Sequence, residues 1–258
     1  MRKALVLLLV PMVVRFVRPR PLGFVKPRSS TSTYTERLGI TWETTAEGQQ
    51  LHADVRIPAD GATKRPLLIV LPGGGFVSAD LPGMAPPARE FAARGFVTMT
   101  TDYSFQRKGE TREQYLPRPV RDVGDAIAWA VADPLGLGMA VDPARVGILG
   151  ASARGTIGTI RSANDRQIDA MVSWSGPWSQ VTFSRVPPPR FACHAVNDSR
   201  APYLGEVDTK LAWENAGGRT DLYDPPDDVH GIQFWTYKDT LGRTVCRSTT
   251  ISWIEAKV

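Results

Sequence analysis

The chain has 258 residues, 42% of them hydrophobic, which suits one large domain with a full core. Its net charge of +5 comes from one end, because the first 28 residues hold seven of the 31 Lys and Arg and no acid. The other 24 basic residues stand against 26 acidic ones, so the rest of the chain is near neutral, at −2. This distribution excludes nucleic acid from the expected partners.

The N-terminal segment has the pattern of a targeting signal. Met1-Arg-Lys is a positive start, and the apolar run Ala4–Val14 is too short to span a bilayer. Three arginines follow the run, and no small-x-small cleavage site comes after it. We expect residues 1–35 to be a signal-like or disordered basic leader and residues 36–258 to be the folded domain. A secreted or cell-envelope location is predicted, with a cytoplasmic one left open and no stable membrane span.

Strand and helix patterns alternate through the rest of the chain, which predicts an α/β fold with a mostly parallel central sheet and helices on both faces. An antiparallel hairpin is expected first, over Leu38–Thr45 and Gln50–Ile57. The later strands are predicted at Pro66–Leu71, Phe96–Asp102, Val146–Leu149, Ala170–Trp174, Phe191–Val196 and Thr220–Tyr223. The helices are predicted at Pro86–Arg94, Pro119–Ala132, after Ser152, at Val207–Asn215 and at Thr249–Lys257.

A single serine among small residues follows one of these strands. The segment Gly150-Ala-Ser-Ala-Arg-Gly155 is typical of a sharp strand-to-helix turn, which exposes the Ser152 hydroxyl beside free helix amides. Arg154 stands where a second glycine is usual. The alternative is that small residues merely cap a strand, but the other motifs favour a nucleophile.

Four segments carry a family resemblance. They are Leu71-Pro-Gly-Gly-Gly-Phe76, Thr101-Asp-Tyr103, Val141 to Ser152, and His194-Ala-Val-Asn-Asp198 followed by Pro202. Together they resemble the carboxylesterase/lipase group of α/β-hydrolases, in which the first segment reads His-Gly-Gly-Gly. The likeness runs from about residue 36 to the C terminus. It implies a serine esterase, compact and without a cap, because about fifteen residues, Ser175–Pro189, join two successive strands.

Attack on an ester carbonyl requires a nucleophile, a base and a carboxylate that orients the base. Ser152 supplies the hydroxyl, and His230, in a loop after the last strand, is the predicted base. Asp198 is the preferred acid because it ends a strand and lies 32 residues before His230. The competing carboxylates are Asp221, Asp224, Asp227 and Asp228. Asp227 and Asp228 are too close in sequence to His230 and are expected to be solvated.

The other two histidines are predicted to have structural roles rather than catalytic ones. His52 lies in the hairpin and is expected at the surface or an edge, whereas His194 is expected to be buried and hydrogen-bonded. The resemblance assigns the oxyanion hole to the backbone amides of Gly74, Gly75 and Ala153. Glycine suits that loop because the backbone must approach the substrate closely.

Two residues depart from the family pattern. Pro72 replaces the histidine before the glycines and is expected to stiffen the loop. Arg154 is expected to point away from the site, held by a carboxylate or by helix-end carbonyls, so that the Ala153 amide stays free. An outward guanidinium could also attract anionic substrates.

Four tryptophans come from segments that approach the pocket: Trp174, Trp178, Trp213 and Trp235. Most of them are expected in the core, and the alternative left open is that one or two line the pocket. The two cysteines, Cys193 and Cys246, are compatible with either a disulfide or free thiols. No metal-ligand spacing or nucleotide fingerprint occurs, so no metal or cofactor is implied.

The sequence therefore predicts a serine hydrolase that cleaves a small-molecule carboxylic ester through an acyl-enzyme on Ser152. Three alternatives stay open: an amidase or formamidase, a peptidase with the same triad, and a non-catalytic hydrolase-like binding protein. The acyl and alcohol groups of the substrate and the oligomeric state are not predicted.

Overall fold

The computed structural model describes residues 33–178 and 180–258. The strands of these residues are β1 (Tyr34–Thr44), β2 (Gln50–Pro58), β3 (Arg65–Leu71), β4 (Val97–Thr101), β5 (Val141–Ala151), β6 (Ala170–Trp174), β7 (Arg190–Cys193) and β8 (Thr220–Tyr223). The helices are α1 (Ala85–Ala92), α2 (Arg112–Tyr115), α3 (Pro117–Ala132), α4 (Ala153–Asn164), α5 (Tyr203–Asn215) and α6 (Val245–Lys257). Two 3₁₀ turns, Pro82–Met84 and Gly231–Trp235, complete this set.

The predicted fold class is confirmed. The described strands form one eight-stranded sheet in the order β1-β2-β4-β3-β5-β6-β7-β8. β2 pairs antiparallel with both β1 and β4, and every later pair is parallel. The antiparallel hairpin therefore lies at one edge, and the carboxyl ends of the parallel strands meet along one rim of the sheet, where ligands bind in open α/β sheets.

Helices cover the sheet on both faces because the central strands are apolar on both faces. All five residues of β4 and of β6 are buried. On one face the apolar stripe of α3 and residues of α4 pack against the sheet, and on the other face α1 and α6 do so. Burial on both faces explains the apolar run Leu67–Leu71 in β3, and β4 and β6 add small buried polar residues such as Thr98 and Ser173.

Several element boundaries differ from the predicted ones. β7 ends at Cys193 rather than Val196, although the His194 amide still donates to the carbonyl of Tyr223, the last residue of β8, and the Val196 amide donates to that of Pro225. α5 begins at Tyr203 and α6 at Val245, each four residues earlier than predicted. Helix starts are hard to place here because neither helix has a side-chain N-cap hydrogen bond.

The predicted leader lies in residues that the structure does not describe, apart from its last three positions. β1 begins at Tyr34, two residues before the boundary predicted at residue 36. Within residues 33–178 and 180–258, no helix is long and apolar enough to cross a membrane.

Cys193 and Cys246 form a disulfide, which answers the question that the sequence left open. The bond joins the end of β7 to the first turn of α6, across 53 residues of sequence. It fixes the C-terminal helix against the sheet beside the loop that carries Asp198.

Candidate active site

A pocket of about 670 Å³ opens at the carboxyl ends of the parallel strands. Its lining comes from the loop after β3, the turn after β5, the loops after β6 and β7, and the turn that begins at His230. Described residues between β6 and β7 form no helix or strand, so no helical cap from this segment covers the pocket.

The turn after β5 holds Ser152 in a strained backbone conformation. Its φ and ψ are 55° and −132°, a region that non-glycine residues rarely occupy. The Ser152 amide donates to the Trp174 carbonyl at 2.7 Å, which fixes the turn against the end of β6. At Gly150 a side chain is impossible, because a Cβ would lie 2.6 Å from the Arg154 carbonyl oxygen. The chain therefore presents the Ser152 hydroxyl to the pocket.

The structure brings together Ser152, His230 and Asp198, the three residues predicted as nucleophile, base and acid. Nε2 of His230 lies 2.7 Å from Oγ of Ser152, and Nδ1 lies 2.8 and 3.0 Å from the two Asp198 carboxylate oxygens. Because a carboxylate only accepts, the Nδ1 proton points at Asp198, and Nε2 is left to accept the serine proton.

The Asp198 carboxylate is held in its ionised form. Burial raises its pKa, but hydrogen bonds from His230 and from the backbone amides of Arg200 and Ala201 outweigh burial and keep the pKa below its usual range. The carboxylate can therefore orient His230 and stabilise a positive charge that forms on the imidazole.

Ser175 is a site residue that sequence reasoning missed. It follows β6 directly, is buried, has a φ of 54°, and lines the pocket. Its hydroxyl accepts a hydrogen bond of 3.4 Å from the Gly231 amide and also helps to lower the pKa of Asp198. The sequence feature that could have identified Ser175 is its position, because it is a polar residue directly after β6, the strand next to β5.

The glycine-rich loop after β3 lies beside the serine. Gly74 has a φ of 151°, and a Cβ there would lie 2.0 Å from the Ser78 carbonyl oxygen, so only glycine fits. Within the described part of the chain, the amides of Gly74, Gly75 and Ala153 donate to no other residue. All three residues line the pocket, so their N–H groups are available to a ligand.

Arg154 points away from the pocket, as expected, but its surroundings are not the predicted ones. The side chain is fully buried, its guanidinium lies 3.9 Å from the centre of the Tyr103 ring, and Nη2 donates to the Ser78 carbonyl at 2.9 Å. The partner is thus a loop carbonyl and an aromatic face. The idea that an outward Arg154 attracts substrates is wrong, because solvent does not reach it.

The other histidines have structural contacts. His52, on β2, lies 3.5 Å from Asp102 and is 41% exposed, as predicted for an edge position. His194 is fully buried, with Nε2 2.9 Å from the Ala201 carbonyl oxygen. Burial lowers the pKa of His194, but its contacts with Glu206, the Ala201 carbonyl and Asp198 raise it above the usual value.

A buried ion pair lies behind the Asp198 loop. Arg190 on β7 meets Glu206 on α5 through hydrogen bonds of 2.5 and 3.0 Å, and both side chains are fully buried. Nδ1 of His194 lies 3.7 Å from the Glu206 carboxylate. Burial raises the pKa of Glu206, but Arg190 and His194 lower it below the usual value, so the cluster favours the ionised carboxylate.

The remaining sequence candidates lie outside the site. Asp227 and Asp228 are exposed, and Asp228 accepts a hydrogen bond from the Ser199 amide, as expected for loop carboxylates. None of the four candidate tryptophans lines the pocket, and three of them are buried in the core, namely Trp174, Trp213 and Trp235.

Solved structures similar to this one include an α/β-hydrolase and an esterase. The α/β-hydrolase MGS-M1 from a Medee basin deep-sea metagenome library superimposes with a TM-score of 0.67 at 17% identity, over 88% of this chain and 98% of that one. Esterase 2 of Thermogutta terrifontis, phosphonylated by cyclosarin, gives a TM-score of 0.68 at 20% identity, over 84% and 93%. Sequence identities this low show that the folds are similar and show nothing more.

One curated relative shares a shorter stretch. The non-reducing polyketide synthase pkbA of Emericella nidulans is 30% identical over 117 residues, which are 43% of this chain. The match spans 4% of that much longer protein.

The family model named BD-FAE matches residues 53–186, just over half of the chain. The matched segment includes the glycine-rich loop, the Ser152 turn and Ser175. The chain therefore belongs to the BD-FAE family and has the α/β-hydrolase fold.

Proposed function

We propose that this protein is a serine hydrolase that cleaves carboxylic esters, with Ser152, His230 and Asp198 as its catalytic triad. The observation that carries the proposal is the continuous hydrogen-bond path from Ser152 Oγ through both His230 nitrogens to Asp198, with distances of 2.7 and 2.8 Å. The path ends in an open pocket, where a substrate carbonyl can reach the serine.

The mechanism is a two-step acyl transfer. Ser152 Oγ attacks the ester carbonyl carbon while its proton passes to Nε2 of His230, and the carbonyl oxygen becomes an oxyanion. When the intermediate collapses, the bond to the alcohol oxygen breaks and His230 gives its proton to that oxygen. Water then attacks the acyl-enzyme, again losing its proton to His230, which returns the proton to Ser152 as the acid leaves.

The oxyanion is stabilised in this scheme by the amides of Gly74, Gly75 and Ala153. Three unpaired N–H groups beside a nucleophile are suited to a developing negative charge, because they need no rearrangement when the charge appears. The Ala153 amide is also at the N-terminus of α4, where the helix dipole favours an anion.

Esterase activity is preferred to amidase activity because ester bonds are intrinsically easier to cleave and relatives with this fold include an esterase. The test compares turnover of 4-nitrophenyl acetate with that of 4-nitroacetanilide, for the wild type and Ser152→Ala. We expect rapid ester turnover that Ser152→Ala lowers about 10⁴–10⁶-fold while the fold is kept. Faster anilide turnover would indicate an amidase, and a fully active Ser152→Ala protein would refute the proposal.

A further inference from the structure

Two arginines line the pocket that contains Ser152. Arg112 is the first residue of α2, and Arg200 lies in the loop just after Asp198; both are exposed. Among the described lining residues Asp80 is the single acid, so the lining carries more positive than negative charge.

Neither guanidinium is neutralised by a close partner. In residues 33–178 and 180–258, no carboxylate oxygen forms an ion pair with Arg112 or Arg200, and Glu113 and Asp228 attract them only at longer range. Arg112 is nevertheless held in place, because its guanidinium lies over the Phe76 ring at 5.5 Å from the ring centre. A positive charge therefore stands beside the glycine-rich loop.

The carboxylate of Asp80, the acid in the pocket lining, accepts a hydrogen bond from the backbone. Asp80 Oδ1 accepts a hydrogen bond of 3.0 Å from the Gly83 amide, which directs its carboxylate to the 3₁₀ turn. Residues 29–258 as a whole carry 24 basic and 26 acidic side chains, so the positive character is local to the pocket.

We propose that the pocket takes esters that carry a second, anionic group such as a carboxylate, with Arg112 and Arg200 as specificity-determining residues. The inference rests on the proposed function, since it concerns the substrate of Ser152. Fixed positive charges at the mouth of a cleft raise the local concentration of anions and favour their binding over that of neutral analogues.

The experiment compares kcat/KM for esters matched in size but not in charge. On the acyl side, the monoanion of 4-nitrophenyl glutarate is paired with neutral 4-nitrophenyl pentanoate. On the alcohol side, 4-acetoxybenzoate is paired with 4-acetoxybenzamide. The variants are Arg112→Gln and Arg200→Gln. Arg121→Gln is the control, because Arg121 on α3 is also exposed but does not line the pocket.

The readout is the ratio of kcat/KM for the anionic ester to that for its neutral partner. We expect each pocket variant to lower this ratio about two- to fivefold in at least one pair, as for an exposed charge pair, and added salt to lower it in the wild type. Arg121→Gln should leave the ratio unchanged. The pair that responds tells which side of the ester bond carries the anionic group.

A ratio that neither pocket variant changes, in either pair, would overturn the inference. Failure of this inference and failure of the proposed function give different results. If the wild type hydrolyses neutral esters through Ser152 and the ratios do not respond, the proposed function stands and the substrate class is wrong. If Ser152→Ala keeps its turnover, or the wild type has none, both proposals fail together.

Discussion

The guanidinium of Arg154 donates a hydrogen bond of 2.9 Å to the Ser78 carbonyl oxygen. This contact joins the first turn of α4, next to the nucleophile, to the end of the glycine-rich loop. Ser78 is also the residue whose backbone carbonyl forces glycine at position 74. The two halves of the proposed oxyanion hole are therefore linked by one buried side chain.

Arg154→Gly should lower kcat for ester hydrolysis by about tenfold or more, with a smaller effect on KM. A hydrogen bond from a charged donor contributes about 1.5–3 kcal/mol, and its loss leaves the loop free to move away from the oxyanion. Steady-state kinetics on 4-nitrophenyl acetate measures the effect.

Arg154→Lys is the matched control, because lysine keeps the positive charge and one donor. It should retain more of kcat than Arg154→Gly does, provided both proteins show the wild-type circular dichroism spectrum. Equal and full activity of both variants would mean that the contact does not position the loop.

His230→Ala should lower ester turnover by about 10⁴-fold or more, because among residues 33–178 and 180–258 only His230 Nε2 forms a hydrogen bond with Ser152 Oγ and can accept its proton. His52→Ala is the comparison, since His52 lies on β2 and outside the pocket lining. Its effect should stay below about threefold. A loss of similar size in the two variants would contradict the assignment of the base.

Glu206→Gln should lower the free energy of unfolding by about 3–5 kcal/mol at neutral pH, because it leaves Arg190 buried without its counter-charge. The pKa of Glu206 is lowered in the folded state, so its stabilising contribution is complete above the pKa of the unfolded chain. As pH falls through the lowered folded value, that contribution is lost.

Urea unfolding of both proteins between pH 8 and pH 3 measures this dependence. The difference between wild type and Glu206→Gln should grow as pH falls through the range in which His194 takes up its proton, because Glu206 raises the pKa of His194. It should then shrink below about pH 4, where Glu206 itself becomes protonated. A difference that is absent at pH 7, or that does not shrink below about pH 4, would show that the pair does not stabilise the fold through its charge.

Cleavage of the Cys193–Cys246 disulfide should destabilise the protein by about 2–4 kcal/mol. The bond closes a loop of 53 residues and so restricts the unfolded chain. Thermal unfolding with and without dithiothreitol provides the measurement, and the double variant Cys193→Ala/Cys246→Ala should unfold at the same temperature in both buffers. A wild-type melting temperature that the reductant does not change would contradict the prediction.

The fold could be predicted because its signals are local. The central strands β3 and β5 contain short apolar runs, Leu67–Leu71 and Val146–Leu149, and α3 shows its apolar stripe directly in Val123, Ala126 and Ile127. The three candidate triad residues were found because the chain has only three histidines and because Ser152, Asp198 and His230 follow one another in the order the fold demands.

The details that escaped prediction depend on contacts between distant segments. Arg154 is buried because Ser78, 76 residues earlier, offers a carbonyl and Tyr103 offers a ring face. The role of Ser175 depends on the packing of β6 beside β5, and the disulfide depends on where α6 meets β7. No local periodicity reports such relationships, so the sequence left them open.

The most direct test of the proposed mechanism is labelling with a fluorophosphonate probe followed by peptide mass spectrometry. An activated serine attacks the phosphorus, so the wild type should be labelled at Ser152, while His230→Ala and Ser152→Ala should not be labelled. Labelling should also abolish ester turnover in proportion to the fraction modified. A folded wild-type protein that resists the probe, or that is modified at another serine, would contradict the assignment of Ser152 as the nucleophile.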